Sequence, residues 1–250
     1  MRPVRSALFA LALLMPWVAR AENPVIAPFR VVTADLRPFS VENQASAPGM
    51  LVELVEGISA RLDRPIKVEF YPWARSFALV QAEPRIAIIP FTRTTERDAH
   101  YQWLIRLYQQ QYVFITKTGS PPITSIDAAR KVKRIAVLRG STTMPIALNA
   151  HFPPSSFFQD ASVEAGLKDL DAGIVDTYYG GEAICAETIR TTGRKLSDYH
   201  VGVALGGGDI WLAASGGFSE GEIAALRQAF DAAVKDGTYA QLLKKYKVPE

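Results

Sequence analysis

The sequence predicts an α/β protein of two units, each of about 100 residues, with a ligand cleft between them. From Phe29 onward, short β-rich runs alternate with amphipathic helical patterns, which favours sheets flanked by helices. The same alternation restarts after the turn-forming segment 118–122. Hydrophobic residues make up 48% and charged residues 21% of the 250 residues, a composition that excludes disorder, collagen-like repeats and coiled coils.

Residues 1–21 are predicted to form a cleavable secretory signal. Two arginines precede a short apolar run, and Ala19-Arg20-Ala21 supplies a small-x-small cleavage pattern. The alternative is a membrane anchor, but the apolar run is shorter than the roughly 20 residues that a spanning helix needs. The leader holds three of the 28 basic residues, so the remaining chain carries 25 basic and 25 acidic residues. This balance gives no electrostatic basis for binding nucleic acid or a membrane surface, and it favours a small-molecule partner.

The first unit begins with a strand over 30–34. Apolar residues at 51, 54, 55, 58 and 62 recur at helical spacing, and Pro65 ends this helix. Alternating apolar and polar residues over 66–71 indicate a half-buried strand. A helix over 73–82 and a fully buried strand over 86–91 follow.

The second unit repeats this order. Its predicted elements are a helix over 125–131, a strand over 134–138, a helix from Thr142, helices over 162–172 and 181–192 around a strand over 174–178, and strands over 201–205 and 210–214. Helices over 219–235 and 238–246 end the chain. The only cysteine, Cys185, has no intrachain partner, and a small buried apolar role is favoured over a nucleophilic one.

Four short motifs lie in order along the chain. They are Gly-Met-Leu-Val-Glu at 49–53, Thr-Thr-Glu-Arg at 94–97, Gly-Ser-Thr at 140–142 and Asp-Gly-Thr-Tyr at 236–239. With these motifs the chain resembles the periplasmic solute-binding proteins of family 3, the receptors of polar amino acid ABC importers.

The resemblance implies a type II periplasmic-binding-protein fold with two lobes and a hinge-like closure. Residues 22–110 and 210–250 would form the discontinuous first lobe, and residues 111–209 the second. Two crossing strands, near 109–111 and 206–209, would join the lobes. The resemblance also implies a periplasmic location, a monomer, and an ABC transporter permease as the membrane partner.

Arg97 is the first candidate ligand-binding residue. A guanidinium group is always charged and matches a carboxylate with two parallel donors. The resemblance implies that Arg97 binds the ligand carboxylate, whereas the alternative is a surface arginine paired with Glu96 or Asp98. Thr92 follows a buried strand where the family places a second donor, and nearby Pro90 lacks the hydroxyl group that relatives carry.

In the second lobe, Ser141 and Thr142 lie at a predicted helix start. They are candidates for ligand binding, and an ordinary N-cap role is equally consistent with the sequence. The family places an ammonium-pairing Asp where this chain has Gly181. Glu182 is a candidate for that contact after a one-residue shift, or it stabilises the helix N-terminus.

Trp73 and Phe39 are the candidate apolar contacts of the ligand. Trp73 offers a broad surface to a ring, a chain or a cation, although a core residue at a helix start is equally predicted. Near Leu36 the family often has a stacking aromatic residue, and Phe39 is the ring closest to that position in the sequence.

These features predict a non-enzymatic periplasmic protein that captures a small carboxylate-bearing solute for an ABC importer. No catalytic residue, metal ligand or cofactor is predicted. The departures at Leu36, Pro90 and Gly181 move the expected ligand away from a standard α-amino acid, toward a carboxylate with an apolar or aromatic end. The alternatives are a periplasmic enzyme resembling arogenate or prephenate dehydratases, with Glu182 or Glu53 as its acid, and a solute-sensing domain.

Overall fold

The computed structural model describes residues 26–248, and the predicted signal lies outside this range. The strands are β1 (Arg30–Thr33), β2 (Lys67–Phe70), β3 (Ile86–Thr92), β4 (Gln102–Lys117), β5 (Ile135–Leu138), β6 (Phe157–Asp160), β7 (Thr177–Gly181) and β8 (Tyr199–Ala214). The helices are α1 (Met50–Arg61), α2 (Trp73–Ala82), α3 (Thr95–Asp98), α4 (Ile126–Arg130), α5 (Thr143–Asn149), α6 (Val163–Asp171), α7 (Glu182–Thr191), α8 (Glu220–Lys235) and α9 (Thr238–Tyr246).

The eight strands form one mixed sheet in the order β2-β1-β3-β8-β4-β7-β5-β6. The first lobe contains β1, β2 and β3 with α1, α2, α8 and α9, and the second contains β5, β6 and β7 with α4 to α7. Both lobes are α/β, which confirms the predicted fold class. None of the helices in residues 26–248 combines the length and the apolar character that crossing a membrane requires.

Helix α1 shows why the periodic segments fold as predicted. Its apolar positions, which include Leu51, Leu54 and Ile58, are buried in the first-lobe core, while Glu56 on the opposite face is exposed. β3 is buried along its whole length because it lies between two neighbouring strands and is covered by helices.

The two lobes are joined by β4 and β8, which pair in antiparallel orientation. Gln109 pairs with Asp209, Gln110 with Gly208 and Gln111 with Gly207, so the two predicted crossing segments lie side by side. The lobe boundaries themselves remain a prediction.

The prediction of two strands over 201–205 and 210–214 is wrong, because β8 continues through the three glycines between them. Gly206 has φ +72°, a conformation that glycine adopts without a steric penalty. A Cβ atom on Gly207 would lie 2.5 Å from the Gln110 carbonyl oxygen. The glycines therefore let β8 lie close against β4, in the segment predicted as the second crossing.

The strand predicted over 174–178 is also displaced. Residues 173–176 form a turn in which Gly173 has φ +70° and the Ile174 side chain is exposed, and β7 begins only at Thr177. The strand consequently extends to Gly181, immediately before α7. β6 was not predicted.

Candidate functional site

A cavity of about 50 Å³ lies between the lobes, beside the crossing strands. Five of the seven predicted ligand-binding residues line it, and they come from both lobes. They are Trp73, Thr92, Arg97, Ser141 and Thr142. The walls are otherwise largely apolar or aromatic, with Leu36, Leu138, Val163, Tyr178 and Ile184 among them.

Arg97 lies on the short helix α3, directly after β3. Its guanidinium carbon lies 4.1 Å from the centre of the Phe91 ring, and its Nη1 donates to the Thr92 carbonyl oxygen at 3.1 Å. Burial lowers the pKa of Arg97, although an arginine remains charged at neutral pH. The guanidinium is thus held in place by contacts that leave its charge available.

The structure does not show the alternative for Arg97, a surface ion pair with Glu96 or Asp98. Asp98 accepts a hydrogen bond from Arg93 Nε at 2.6 Å, and Glu96 accepts one from Asn149 Nδ2 at 2.9 Å. Each neighbouring acid therefore has a different partner.

A hydrogen-bond chain runs beside Arg97 from Thr92 to Gln110. The Thr92 hydroxyl group bonds to the Tyr112 hydroxyl group, which also accepts a hydrogen bond from Gln110 Nε2 at 3.2 Å. Burial raises the pKa of Tyr112, so its phenol stays protonated at neutral pH. Within residues 26–248, Gln110 Oε1 is buried and receives no hydrogen bond.

The sequence analysis missed both Gln110 and Tyr112. Residues 110 and 112 lie two positions apart on β4, so their side chains share one face of the strand. β4 is buried without alternation over 112–116 and was predicted only as a short crossing segment, so no periodic pattern in the sequence marked these two residues.

Ser141 and Thr142 precede α5, which begins at Thr143. Thr142 is buried and makes no side-chain capping hydrogen bond, so the structure does not support the alternative N-cap role. Ser141 Oγ and Thr143 Oγ1 are 2.7 Å apart and share a hydrogen bond. Thr143, which was not predicted, also lines the cavity.

Trp73 lies both in the core at a helix start and at the cavity, so its position fits the two alternatives predicted for it. It is buried at the start of α2, and its ring also lines the cavity. Its Nε1 donates to the Gly140 carbonyl oxygen in the second lobe at 3.2 Å. The indole therefore connects the two lobes directly.

Phe39 and Glu182 lie outside the cavity. Phe39 is fully buried in the first-lobe core with its ring centre 5.3 Å from that of Tyr108, and Leu36 lines the cavity in its place. Glu182 is exposed and borders a second cavity of about 670 Å³. Gly181 ends β7 and Glu182 begins α7, so the one-residue shift moves the acid from the strand onto the helix, outside the first cavity.

Glu53, the other acid considered for an enzyme, lies on α1, and its side chain contacts α9. Its Oε1 accepts a hydrogen bond from the Tyr246 hydroxyl group at 2.6 Å and forms an ion pair with Lys245. Neither Glu53 nor Glu182 lines the first cavity.

Cys185 lines the cavity from α7. Burial raises the pKa of its thiol, so the group is neutral at physiological pH and contributes an uncharged surface. Across residues 26–248, the structure shows no group of three or more His, Cys, Asp or Glu side chains that could hold a metal ion.

Solved structures of ligand-binding proteins are similar to this chain. The ligand-binding core of GluR0 from Nostoc punctiforme, in complex with L-glutamate, has a TM-score of 0.75 at 18% identity over 89% of this chain and 100% of that one. A histidine kinase sensor domain with similarity to periplasmic binding proteins has a TM-score of 0.77 at 16% identity over 88% of this chain and 95% of that one. An arginine periplasmic binding protein from Legionella pneumophila has a TM-score of 0.72 at 18% identity over 88% and 99%.

These identities support a shared fold. No curated protein sequence matches the chain. The family model of the bacterial extracellular solute-binding proteins, family 3, matches residues 30–249, which is nearly the whole chain after the predicted signal. The chain therefore belongs to the bacterial extracellular solute-binding proteins, family 3.

Proposed function

We propose that the protein captures a small carboxylate-bearing solute between its lobes in the periplasm and delivers it, as a monomer, to the permease of an ABC importer. Arg97 carries this proposal. Arg97 lines the cavity with its guanidinium held against the Phe91 ring, and the two acids beside it in the sequence have other partners. A carboxylate is the ligand group that such a cation binds most directly.

The hydroxyl groups around the cavity support the same ligand chemistry. Thr92 lies beside Arg97, and Thr142 lines the cavity from the opposite lobe. The hydroxyl groups of these two threonines can donate hydrogen bonds to carboxylate oxygens. Similar structures are described as complexes with glutamate, arginine or histidine, which all carry a carboxylate. These similarities favour a carboxylate-binding cleft in this chain as well.

The test is a thermal-shift screen of small carboxylic acids, each paired with its uncharged amide. A ligand that binds only the native state raises the melting temperature, so the acids are expected to stabilise the protein and the amides are not. Arg97→Gln should weaken the binding of the acids by about 30-fold to 1,000-fold, since the carboxylate loses its buried partner. Arg75→Gln is the matched control, because Arg75 is exposed and packs over the Tyr71 ring. Equal binding by wild type and Arg97→Gln would overturn the proposal.

A sensor is the second candidate function, favoured by the similarity to a histidine kinase sensor domain. Uptake of the labelled solute by cells with and without the protein distinguishes the two. Loss of uptake supports delivery to a permease, and unchanged uptake supports a sensor.

A further inference from the structure

Gln110 holds a polar atom that the structure leaves without a partner. The residue lies on β4, lines the cavity and is 93% buried. Its Nε2 donates to Tyr112, while Oε1 receives no hydrogen bond from residues 26–248. A buried acceptor without a donor is costly, so this atom indicates a missing binding partner.

Gly181 packs closely against this atom. A Cβ atom at Gly181 would lie 2.8 Å from Gln110 Oε1, so any side chain there would crowd the amide. Gly181 has φ −62°, which every residue can adopt, so backbone conformation does not require glycine here. The close approach of the Gln110 amide requires it instead.

We propose that the solute carries, besides its carboxylate, a neutral hydrogen-bond donor such as a hydroxyl group, which binds Gln110 Oε1. This inference rests on the proposed function, because Arg97 must hold the carboxylate. It identifies the solute class as hydroxy acids.

The balance of charge favours a hydroxyl group over an ammonium group. Arg97 and a hydroxy-acid anion form a neutral pair, whereas an amino acid zwitterion leaves one net positive charge in the buried site. Gln110 offers that ammonium only a neutral amide oxygen. Glu182 borders the second cavity, which Gln110 also lines, but Glu182 does not line the first cavity. A buried charge without a counter-charge is expensive.

The size of the cavity favours short acids. A cavity of about 50 Å³ is small, so the shortest carboxylic acids are the best suited to it. Propionate, L-lactate and L-alanine share a three-carbon skeleton and differ only at the second carbon, so they isolate the contribution of the donor.

The experiment measures the dissociation constants of these three compounds at pH 7 by calorimetry. We expect lactate to bind about tenfold more tightly than propionate, and alanine to bind most weakly. Gln110→Met should reduce lactate binding to the level of propionate, and Gly181→Ala should do the same by crowding the amide. Gln109→Met is the matched control, because Gln109 is exposed on the other face of β4.

Gln110→Glu supplies a charged acceptor and should reverse the order of lactate and alanine. Melting temperatures of all variants show whether each one is folded. If wild type prefers alanine, or binds lactate and propionate equally, and binding still requires Arg97, this inference is wrong and the proposed function stands. If none of these three acids binds but another acid of the thermal-shift screen binds and requires Arg97, this inference is wrong and the proposed function stands; if no carboxylate binds in either experiment, both are overturned.

Discussion

Tyr112 shows how one side chain can set the geometry of a site through another. Its hydroxyl group accepts a hydrogen bond from Gln110 and bonds to Thr92, and its ring lies edge-on to Tyr179 at 6.3 Å. Since the Tyr112 phenol stays protonated, the number of hydrogen-bond donors and acceptors among Thr92, Tyr112 and Gln110 is fixed. The hydroxyl group of Thr92 is therefore oriented by a residue on a different strand.

Tyr112→Phe keeps the ring and removes the hydroxyl group, so we expect carboxylate affinity to fall about tenfold. The reason is that Thr92 loses the partner that orients it. Calorimetry on the variant and on Thr92→Val and the double variant checks this, because residues acting through one hydrogen-bond chain should show non-additive losses. Additive losses, or an unchanged affinity in Tyr112→Phe, would contradict the role of Tyr112.

The residues of the candidate site were predictable where a local motif fixes their position. Arg97, Thr92, Ser141 and Thr142 follow strands or begin helices, and the structure brings them to one cavity. Phe39 lies in the first-lobe core and not at the cavity. Its closeness to Leu36 in the sequence does not determine whether its ring points to the cavity or to the core.

At the scale of elements, periodicity predicted the helices and the buried strands well. It failed where the chain follows a tertiary constraint. β4 and β8 each contain 16 residues because they run through both lobes, and β8 pairs with β4 through the three glycines that separated its two predicted strands. Such long-range pairing leaves no local pattern in the sequence.

The N-terminus of α8 connects three segments of the first lobe. Ser219 and Glu222 form a capping box, and the Glu222 carboxylate also accepts hydrogen bonds at 2.9 Å from Arg85 Nη2 and from the backbone N–H of Ala27. Burial opposes the ionisation of Glu222, but these hydrogen bonds outweigh it and lower its pKa to about 2. One carboxylate thus fixes the helix start against two distant parts of the chain.

Glu222→Gln should lower the free energy of unfolding at pH 7 by about 2 kcal/mol, since the variant loses the charged acceptor of a buried network. Urea denaturation measures this loss. Glu220→Gln, in the same helical turn but exposed, is the control and should have an effect of under about 0.5 kcal/mol.

The same carboxylate gives the stability a defined pH dependence. Its folded pKa of about 2 lies below the usual value of 4.5, so folding favours the charged form. Its contribution is therefore complete above pH 4.5 and is lost as the pH falls toward 2. Denaturation of wild type and Glu222→Gln over this range should show their difference shrinking with falling pH, and a constant difference would refute the assignment.

For the whole molecule, two contacts connect the lobes at different points around the cavity. Trp73 Nε1 donates to the Gly140 carbonyl oxygen, and Asn149 Nδ2 donates to Glu96 Oε1 at 2.9 Å. Both pairs join an element of the first lobe to an element of the second. If the lobes close on the ligand as the family resemblance implies, we expect these contacts to favour the closed state and so to raise affinity through the equilibrium between open and closed states.

Asn149→Ala removes one of these contacts without changing a cavity-lining residue. We expect a two- to fivefold loss of affinity, because an exposed hydrogen bond to a carboxylate contributes up to about 1 kcal/mol to closure. Asn149→Asp places a second negative charge opposite Glu96, so its loss of affinity should be larger and should diminish at high salt.

Small-angle scattering should still show, for both variants, a smaller radius of gyration at saturating ligand than without ligand, because we expect binding to remain coupled to closure. Equal affinities in wild type, Asn149→Ala and Asn149→Asp would show that this contact does not take part in closing the lobes.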